Sequence, residues 1–215
     1  MKSRITIKNS ILYVVGLVFL SLGVALSFRH GFGASSADNL TYILSTVFDI
    51  SLGTASFFLC TVIIGLLLLY FRNLKFLFLF VQVTLFSPLI DFWDLIVFAN
   101  LFPVGYETIV VYVISLLAMP LGCAFLIRSS YPAGVFDELM FLTAHLTKLK
   151  LPVSRMLNEL LLVLVALIIS FSTQNGFGSV NVGTLGYVFT IGFFIKVFLT
   201  IADKIVLRRK LKHEN

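Results

Sequence analysis

Six long apolar runs constrain the fold of this 215-residue chain more than any other feature of its sequence. Each run is long enough to cross a bilayer as a helix, which takes about 20 apolar residues. The composition agrees, since 59% of the residues are hydrophobic and 12% are charged, whereas soluble domains are about 25% charged. The sequence therefore predicts an all-α membrane protein with spans at approximately 10–28, 52–71, 74–92, 106–127, 152–172 and 183–203.

Two shorter helical segments, at about 39–48 and 138–147, follow the first and fourth predicted spans. They are too short to cross the hydrocarbon core alone. Irregular backbone at membrane depth is tolerated where protein buries it or where it lines a cavity. We therefore expect two short re-entrant or interfacial helices beside the six spans.

The charged residues predict the orientation of the chain. With the N-terminus inside, all of the 16 Lys and Arg residues except Arg29 and Lys196 lie on the inner side. The outer side then carries mostly acidic residues, namely Asp38, Asp49, Asp91, Asp94 and Glu107. This asymmetry favours a multi-pass protein of the bacterial cytoplasmic membrane with both termini in the cytoplasm. The basic residues form no separate face, so the expected partner is the lipid bilayer and not nucleic acid.

One stretch of the sequence occurs twice, at 13–40 and at 112–139, with a constant offset of 99 residues. The matched pairs include Tyr13/Tyr112, Gly23/Gly122, Ala25/Ala124, Arg29/Arg128, Asp38/Asp137 and Leu40/Leu139. Each half, 1–102 and 103–215, has three spans, and an odd number inserts the halves with opposite orientation. The sequence thus predicts one membrane domain built as a 3+3 inverted repeat, an arrangement found in many secondary transporters.

Each copy carries a polar segment after its first span, Arg29–Asn39 in one half and Arg128–Glu138 in the other. Gly31 and Gly33 interrupt the first segment, and Pro132 and Gly134 interrupt the second. Gly- or Pro-interrupted segments at corresponding positions are the best sequence pointer to a transporter binding site.

We predict that the repeated charges bind or gate a substrate, with an Arg–Asp pair inside each segment: Arg29, Asp38, Arg128 and Asp137. A structural alternative stays open. The arginines would then end helices and extend their charges to the interface. In that case Ser35 and Asp38 form a capping box, and Asp137 occupies the first turn of its own helix.

Two charges, Glu159 and Lys196, lie inside the fifth and sixth spans at similar depth. An unpaired charge there costs at least about 2.5–3.5 kcal/mol. We therefore predict a Glu159–Lys196 ion pair with Asn158 beside it, acting in proton coupling or in tuning the site. The alternative is a purely structural pair, or Lys196 reaching the interface while Glu159 is protonated or faces water. Gln82 and Thr84 are further candidates to line a cavity.

The chain lacks the sequence motifs of hydrolases, metalloproteases and nucleotide-binding enzymes. Cys60 and Cys123 lie in apolar spans, where cysteine is usually a small buried side chain. We therefore expect no enzyme activity, no cofactor and no metal site.

The first half resembles the YczE/YyaS/YitT group of bacterial membrane proteins. The matching residues are LGVALSFRHGFGASSADNL, which ends at Leu40, and ISLGTAS at 50–56. That group shows an arginine, a glycine turn, an aspartate and then a Gly-Thr pair, which correspond to Arg29, Gly31, Gly33, Asp38, Gly53 and Thr54. The resemblance implies a multispan protein of the bacterial inner membrane and no particular substrate.

Two functions fit these features. The first is a secondary transporter that moves a small polar or anionic solute by alternating access. The second is a non-transporting scaffold or an accessory subunit of a biosynthetic or transport complex. A cavity beside both polar segments would favour transport, and a packed centre would favour a scaffold. Self-association into a homo-oligomer is compatible with both.

Overall fold

The computed structural model describes residues 7–129, 131 and 134–213, except for the side chains of residue 152 and of residues 203–213. Every regular element among them is helical, as the apolar runs predict. The α-helices are α1 (Ile7–Ser27), α2 (Ser36–Phe48), α3 (Leu52–Phe71), α4 (Phe78–Asp91), α5 (Tyr106–Arg128), α6 (Val135–Thr147), α7 (Leu151–Ser172) and α8 (Val182–His213). A 3₁₀ turn (Leu74–Leu77) precedes α4, and a π-helical turn (Phe92–Val97) follows it.

In the part of the chain that the structure describes, six helices are long and apolar enough to span a membrane: Ile7–Ser27, Leu52–Phe71, Leu74–Val97, Tyr106–Arg128, Val153–Ser172 and Val182–Ala202. The chain is therefore a multi-pass membrane protein, as predicted. Helices α2 and α6 have 13 residues each and reach about 20 Å, too short for a span. Both begin three residues before their predicted starts, because the caps Ser35 and Gly134 set the first turn ahead of the apolar residues.

Helices α1 and α5 form the antiparallel pair at the centre of the fold. Glycines allow their close approach. A Cβ on Gly122 would lie 2.5 Å from the backbone nitrogen of Leu20, and one on Gly23 would lie 2.8 Å from that of Met119. The Ser115 hydroxyl donates a hydrogen bond of 2.8 Å to the Gly23 carbonyl and ties the pair together. Small residues of this kind let membrane helices pack backbone to backbone.

The remaining helices pack around this pair unevenly. Helix α4 packs against both α1 and α3, whereas α8 packs against α5 and barely touches α7 within the described residues. The short helix α2 lies against α3 and α7, and the short helix α6 lies against the same two helices. Both short helices therefore occupy the space between α3 and α7.

The two ends of the bundle carry opposite charges. We call the end with Asp49, Asp91 and Asp94 the acidic end; it is held together by hydrogen bonds from Ser51 and from the Gly53 backbone to Asp91. The other end carries Arg72, Lys75, Lys148 and Lys150, and we call it the basic end. The short helices leave toward different ends, α2 toward the acidic end and α6 toward the basic end, where His145 contacts Tyr70.

Candidate functional site

A cavity of about 150 Å³ lies at the centre of the bundle, where the N-terminal ends of α2 and α6 meet α3, α4, α5 and α7. Cys60 on its wall is eight residues into α3, or about 12 Å from the helix end. The cavity therefore lies well inside the bundle. Its polar and ionisable lining residues are Ser35, Asp38, Thr41, Ser56, Cys60, Gln82, Cys123, Asp137, Arg155 and Glu159.

The first polar segment contributes Asp38 through the cap of α2. Ser35 takes the N-cap position and accepts a hydrogen bond from the Asp38 backbone N–H (3.4 Å), and its hydroxyl donates to Asp38 Oδ2 (2.6 Å). This arrangement is the capping function expected of Ser at a helix start. Asp38 is only 8% exposed. Burial raises the pKa of Asp38 to about 7; the Ser35 hydrogen bond opposes this effect, and the nearby Glu159 charge adds to it.

The second polar segment contributes Asp137 through the start of α6. Its Oδ2 accepts a hydrogen bond from the backbone N–H of the N-cap residue Gly134 (3.3 Å). Its Oδ1 accepts one from Arg155 on α7 (3.2 Å). Arg155 also lies 3.9 Å from Glu159, one helical turn further along α7. One guanidinium thus bridges two cavity carboxylates from different helices.

Gln82 of α4 faces the same cavity with an unused acceptor. The side chain is 7% exposed, and its Oε1 has no hydrogen-bond partner among the residues that the structure describes. Its Nε2 lies near the start of α6, 3.7 Å from where a Cβ on Gly134 would be. A buried amide oxygen without a partner costs about 1–3 kcal/mol, so a ligand or a water that donates to it would stabilise the site.

The rest of the cavity wall is apolar. Most of it comes from α1, α4, α5 and α8, through Leu20, Val24, Val83, Phe86, Met119 and Ile191, and α2 and α6 add Ala37, Val135 and Phe136. The cavity is therefore amphipathic, with carboxylates on one side and hydrocarbon on the other.

Arg29 lies at the acidic end and not at the cavity, so the predicted Arg29–Asp38 pair is wrong. Its Nε donates to Asp94 Oδ1 (2.9 Å), and its Nη2 donates to the Asp94 carbonyl (2.6 Å). The reason is packing: α1 lies against the π-helical turn that carries Asp94. Asp38 instead lies in the first turn of α2, where its Oδ2 accepts a hydrogen bond from the hydroxyl of the N-cap Ser35. The capping alternative therefore places Ser35 and Asp38 correctly at the helix start.

The remaining predicted residues divide between the cavity and other places. Asp137 pairs with Arg155, as described, and Arg128 is the last residue of α5, outside the set that lines the cavity. Pro132, predicted to interrupt the second segment, lies outside the described residues. Asn158 accepts a hydrogen bond from Thr143 (2.6 Å) on α6 and lies in a small side pocket with Arg155 and Glu159.

The predicted Glu159–Lys196 pair is also wrong. Glu159 faces the cavity and is near Arg155, while Lys196 is exposed on α8. Similar depth in consecutive spans led to the prediction, but α8 packs against α5 and not against α7. Equal depth brings two side chains together only when their helices are neighbours.

Sequence reasoning missed Arg155 and Asp94 as site residues, because both were used only as charges that set the orientation of the chain. A signal for Arg155 was present, since Arg155 and Glu159 are four residues apart and share one helix face. Asp94 had no comparable signal, because its partner is 65 residues away.

The acidic end also holds a buried hydrogen-bonded chain. His30 Nδ1 accepts from the Phe32 backbone N–H (3.1 Å), which assigns the proton to Nε2 and makes it the donor to Tyr187 Oη (3.0 Å). Tyr187 then contacts Ser115 Oγ at 2.6 Å. Burial lowers the pKa of His30 to about 4, so the imidazole stays neutral in mildly acidic surroundings. These hydrogen bonds connect the loop after α1, which carries His30, to Tyr187 on α8 and Ser115 on α5.

Comparisons with known proteins give a family without an assigned activity. Residues 7–200 match the DUF6198 family, described as a family of unknown function. The chain is also similar to the uncharacterized protein YyaS of Bacillus subtilis (strain 168), with 23% identity over 193 residues, covering 89% of this chain and 92% of YyaS. No solved structure matches the chain.

Proposed function

We propose that this chain, which belongs to the DUF6198 family of unknown function, is a small secondary transporter that works by alternating access. The observation that carries the proposal is the central cavity, since both polar segments reach it and charged side chains line it. A scaffold needs no such space at the middle of the bundle. The match to YyaS places the chain in a YyaS-like bacterial family, in agreement with the resemblance of its first half.

Several features support an inverted repeat as the basis of the movement. The bounds of α2 and α6 differ by the repeat offset of 99 at both ends, as do the starts of α3 and α7. Contacts between the halves also occur in exchanged pairs. The ring of Tyr13 contacts that of Tyr131 at one end, and the ring of Phe32 contacts that of Tyr112 at the other. Adding 99 to Tyr13 gives Tyr112, and subtracting 99 from Tyr131 gives Phe32.

In the proposed cycle the two halves move relative to each other around the cavity. The Arg29–Asp94 pair and the His30 chain close the acidic end in the present conformation. The contacts of Tyr131 with Ser10 and Tyr13 hold the basic end. The positive-inside rule places the basic end in the cytoplasm of a bacterial cell and the acidic end outside.

Asp38 is the proposed proton-coupling residue. It is buried beside Glu159, and its pKa of about 7 lets it gain or lose a proton near neutral pH. The expectation of an anionic solute gains no support, because Arg29 is engaged by Asp94 and Arg155 by two carboxylates. A small polar solute that exchanges with a proton fits the cavity better. We propose no catalytic role.

The native cysteines offer a direct test, because Cys60 and Cys123 both line the cavity and are free thiols. Oriented vesicles would be treated with a small membrane-impermeant methanethiosulfonate reagent from either side, with the Cys60→Ser and Cys123→Ser variants identifying the labelled thiol. We expect labelling from both sides.

Asp94→Asn, which weakens the Arg29 pair, is expected to increase labelling from the acidic side by several-fold. The matched control is Asp49→Asn, an exposed carboxylate at the same end. Labelling from one side alone, or none in any variant, would contradict alternating access and favour the scaffold or accessory-subunit alternative.

A further inference from the structure

We infer that the central cavity binds a small primary ammonium ion with a short apolar substituent, and that Gln82 together with the cavity carboxylates selects it. This inference rests on the proposed function for its cellular meaning, but binding itself can be measured without transport. Three features of the cavity favour such a ligand: its charge, the unused acceptor of Gln82 and the apolar side of its wall.

The charge of the cavity favours a cation. Among the described residues that line the cavity, Asp38, Asp137 and Glu159 supply three carboxyls, against the single guanidinium of Arg155. The N-terminal ends of α2 and α6 add about half a positive charge each. With all three carboxyls ionised, the sum is roughly one negative charge, which one monovalent cation neutralises. The same excess of negative charge would repel an anion.

The helix ends do not offer an anion site either. The first-turn donor of α2 is capped by Ser35, and the carboxylate of Asp137 holds the Gly134 N–H of α6. A bound anion would have to displace these partners and then lie beside the three carboxyls.

Gln82 indicates, independently of the charge of the cavity, that the ligand carries a hydrogen-bond donor. Its Oε1 is buried and has no partner among the described residues. An amide oxygen accepts hydrogen bonds and donates none. An ammonium group has three N–H donors, so it can satisfy Gln82 and also bond carboxylates. A quaternary ammonium ion lacks these donors and should bind more weakly.

The distribution of the carboxylates argues for an organic cation rather than a metal ion. Among the described residues, no three His, Cys, Asp or Glu side chains converge closely enough to hold a metal. The opposite wall, with Phe86, Met119 and Ile191, suits a short hydrocarbon group. At about 150 Å³, the cavity has the volume of roughly five waters, which limits the ligand to a small amine.

A proton and the ammonium ion should compete for this site. Asp38 is protonated below neutral pH and would have to release its proton to pair with the cation. The charged or titratable groups that surround it are Glu159 and Arg155 on α7, Asp137 on α6, Cys60 on α3, Cys123 on α5 and Tyr187 on α8. None of the cysteine or tyrosine groups adds a charge at neutral pH, so the carboxyls and Arg155 decide the affinity.

The test uses the full-length protein in detergent and measures binding calorimetrically for three probes of equal length: n-butylammonium, n-butyrate and n-butanol. We expect n-butylammonium to bind at least tenfold more tightly than the other two, and about tenfold more tightly at pH 8 than at pH 6. Gln82→Leu and Asp137→Asn should each weaken its binding about tenfold, whereas the exposed control Asp49→Asn should not. Size-exclusion profiles and melting temperatures without probe verify that each variant is folded.

Equal or tighter binding of n-butyrate or n-butanol, or no binding of n-butylammonium, overturns the inference. If tetramethylammonium binds as tightly as n-butylammonium, the role of Gln82 is wrong. The cysteine-labelling test separates this inference from the proposed function. Labelling from both sides without n-butylammonium binding would support transport and contradict the ammonium site. Binding of n-butylammonium with labelling from one side only would support the ammonium site and contradict alternating access.

Discussion

The two halves of this protein have the same order of long and short helices but differ in packing and in chemistry. In the first half α3 packs tightly against α4, and half of the α3 span is buried. In the second half α7 and α8 lie apart, and only 6% of the α8 span is buried. A repeated plan thus does not guarantee equal rigidity, and the second half is the looser of the two.

The chemical difference lies at equivalent positions on the cavity wall. Subtracting the repeat offset of 99 from Arg155 and Glu159 gives Ser56 and Cys60, and all four line the cavity. The first half presents small neutral groups where the second presents a charged pair. We infer that the shared backbone serves the movement between two conformations, while the unshared side chains set what the cavity holds.

The largest expected effect concerns the contact that joins the halves. Gly23→Ala and Gly122→Ala each place a Cβ against the backbone of the other central helix. Overpacking against backbone that cannot move is expected to cost about 3 kcal/mol or more in stability. Thermal unfolding in detergent should show similar losses for both, because the two glycines are repeat equivalents.

Gly65→Ala is the matched control, because nothing lies near the added Cβ in the middle of α3. It should be neutral or slightly stabilising, since Ala is the better helix former. A tolerated Ala at 23 or 122 would mean that the halves are joined less tightly than the backbone distances indicate.

A smaller effect tests the buried carboxyl of the first half. Asp38 has a pKa of about 7 in the folded protein and 3.8 as its ordinary value. Between these pH values the folded state holds a proton that the unfolded state has lost, so stability falls as pH rises through this window. Below about pH 6.5, His30, whose pKa burial lowers to about 4, contributes a slope of the opposite sign. The slope due to Asp38 is at most about 1.4 kcal/mol per pH unit, or about 2 kcal/mol between pH 5.5 and 7.

Asp38→Asn should remove this slope, and a series of melting temperatures across pH 5–8 would measure it. The exposed Asp49→Asn variant should keep the slope of the wild-type protein. A fall in stability with rising pH that survives in Asp38→Asn would assign the titration to another group, whereas the rise below pH 6.5 that His30 causes should remain.

Next in size is the charged pair of the second half. Arg155→Met leaves Asp137 and Glu159 without their cation, but Arg155 is 41% exposed, so water offsets much of the loss. We expect a cost of about 1 kcal/mol. The equivalent change in the first half, Ser56→Ala, should be close to neutral. If both variants unfold at the same temperature, the chemical difference between the halves does not contribute to stability.

The smallest effect is expected at Lys196. This side chain is exposed on the loosely packed α8 and has no described contact with Glu159. Lys196→Met should change stability by less than about 0.5 kcal/mol and leave n-butylammonium binding unchanged. If Lys196→Met weakens n-butylammonium binding as much as Asp137→Asn does, Lys196 belongs to the binding site after all.

Local features of this fold were predictable, and contacts between distant helices were not. The spans, the two short helices and the Ser35 cap follow from residues close in sequence, whose effects on a helix are direct. The Arg29–Asp94 pair joins residues 65 apart and depends on which helices become neighbours. Asp38 and Asp137, which occupy matching positions in the sequence repeat, both line the cavity, whereas depth alone misassigned the partner of Glu159.

The near balance of charge in the cavity has an electrical consequence. Moving one elementary charge across a membrane potential of 100 mV changes its energy by about 2.3 kcal/mol. A cavity that holds either a proton on Asp38 or one monovalent cation carries the same net charge in both loaded states. Exchange of one for the other would therefore move no net charge through the bilayer, and the pH gradient alone, not the membrane voltage, would drive it.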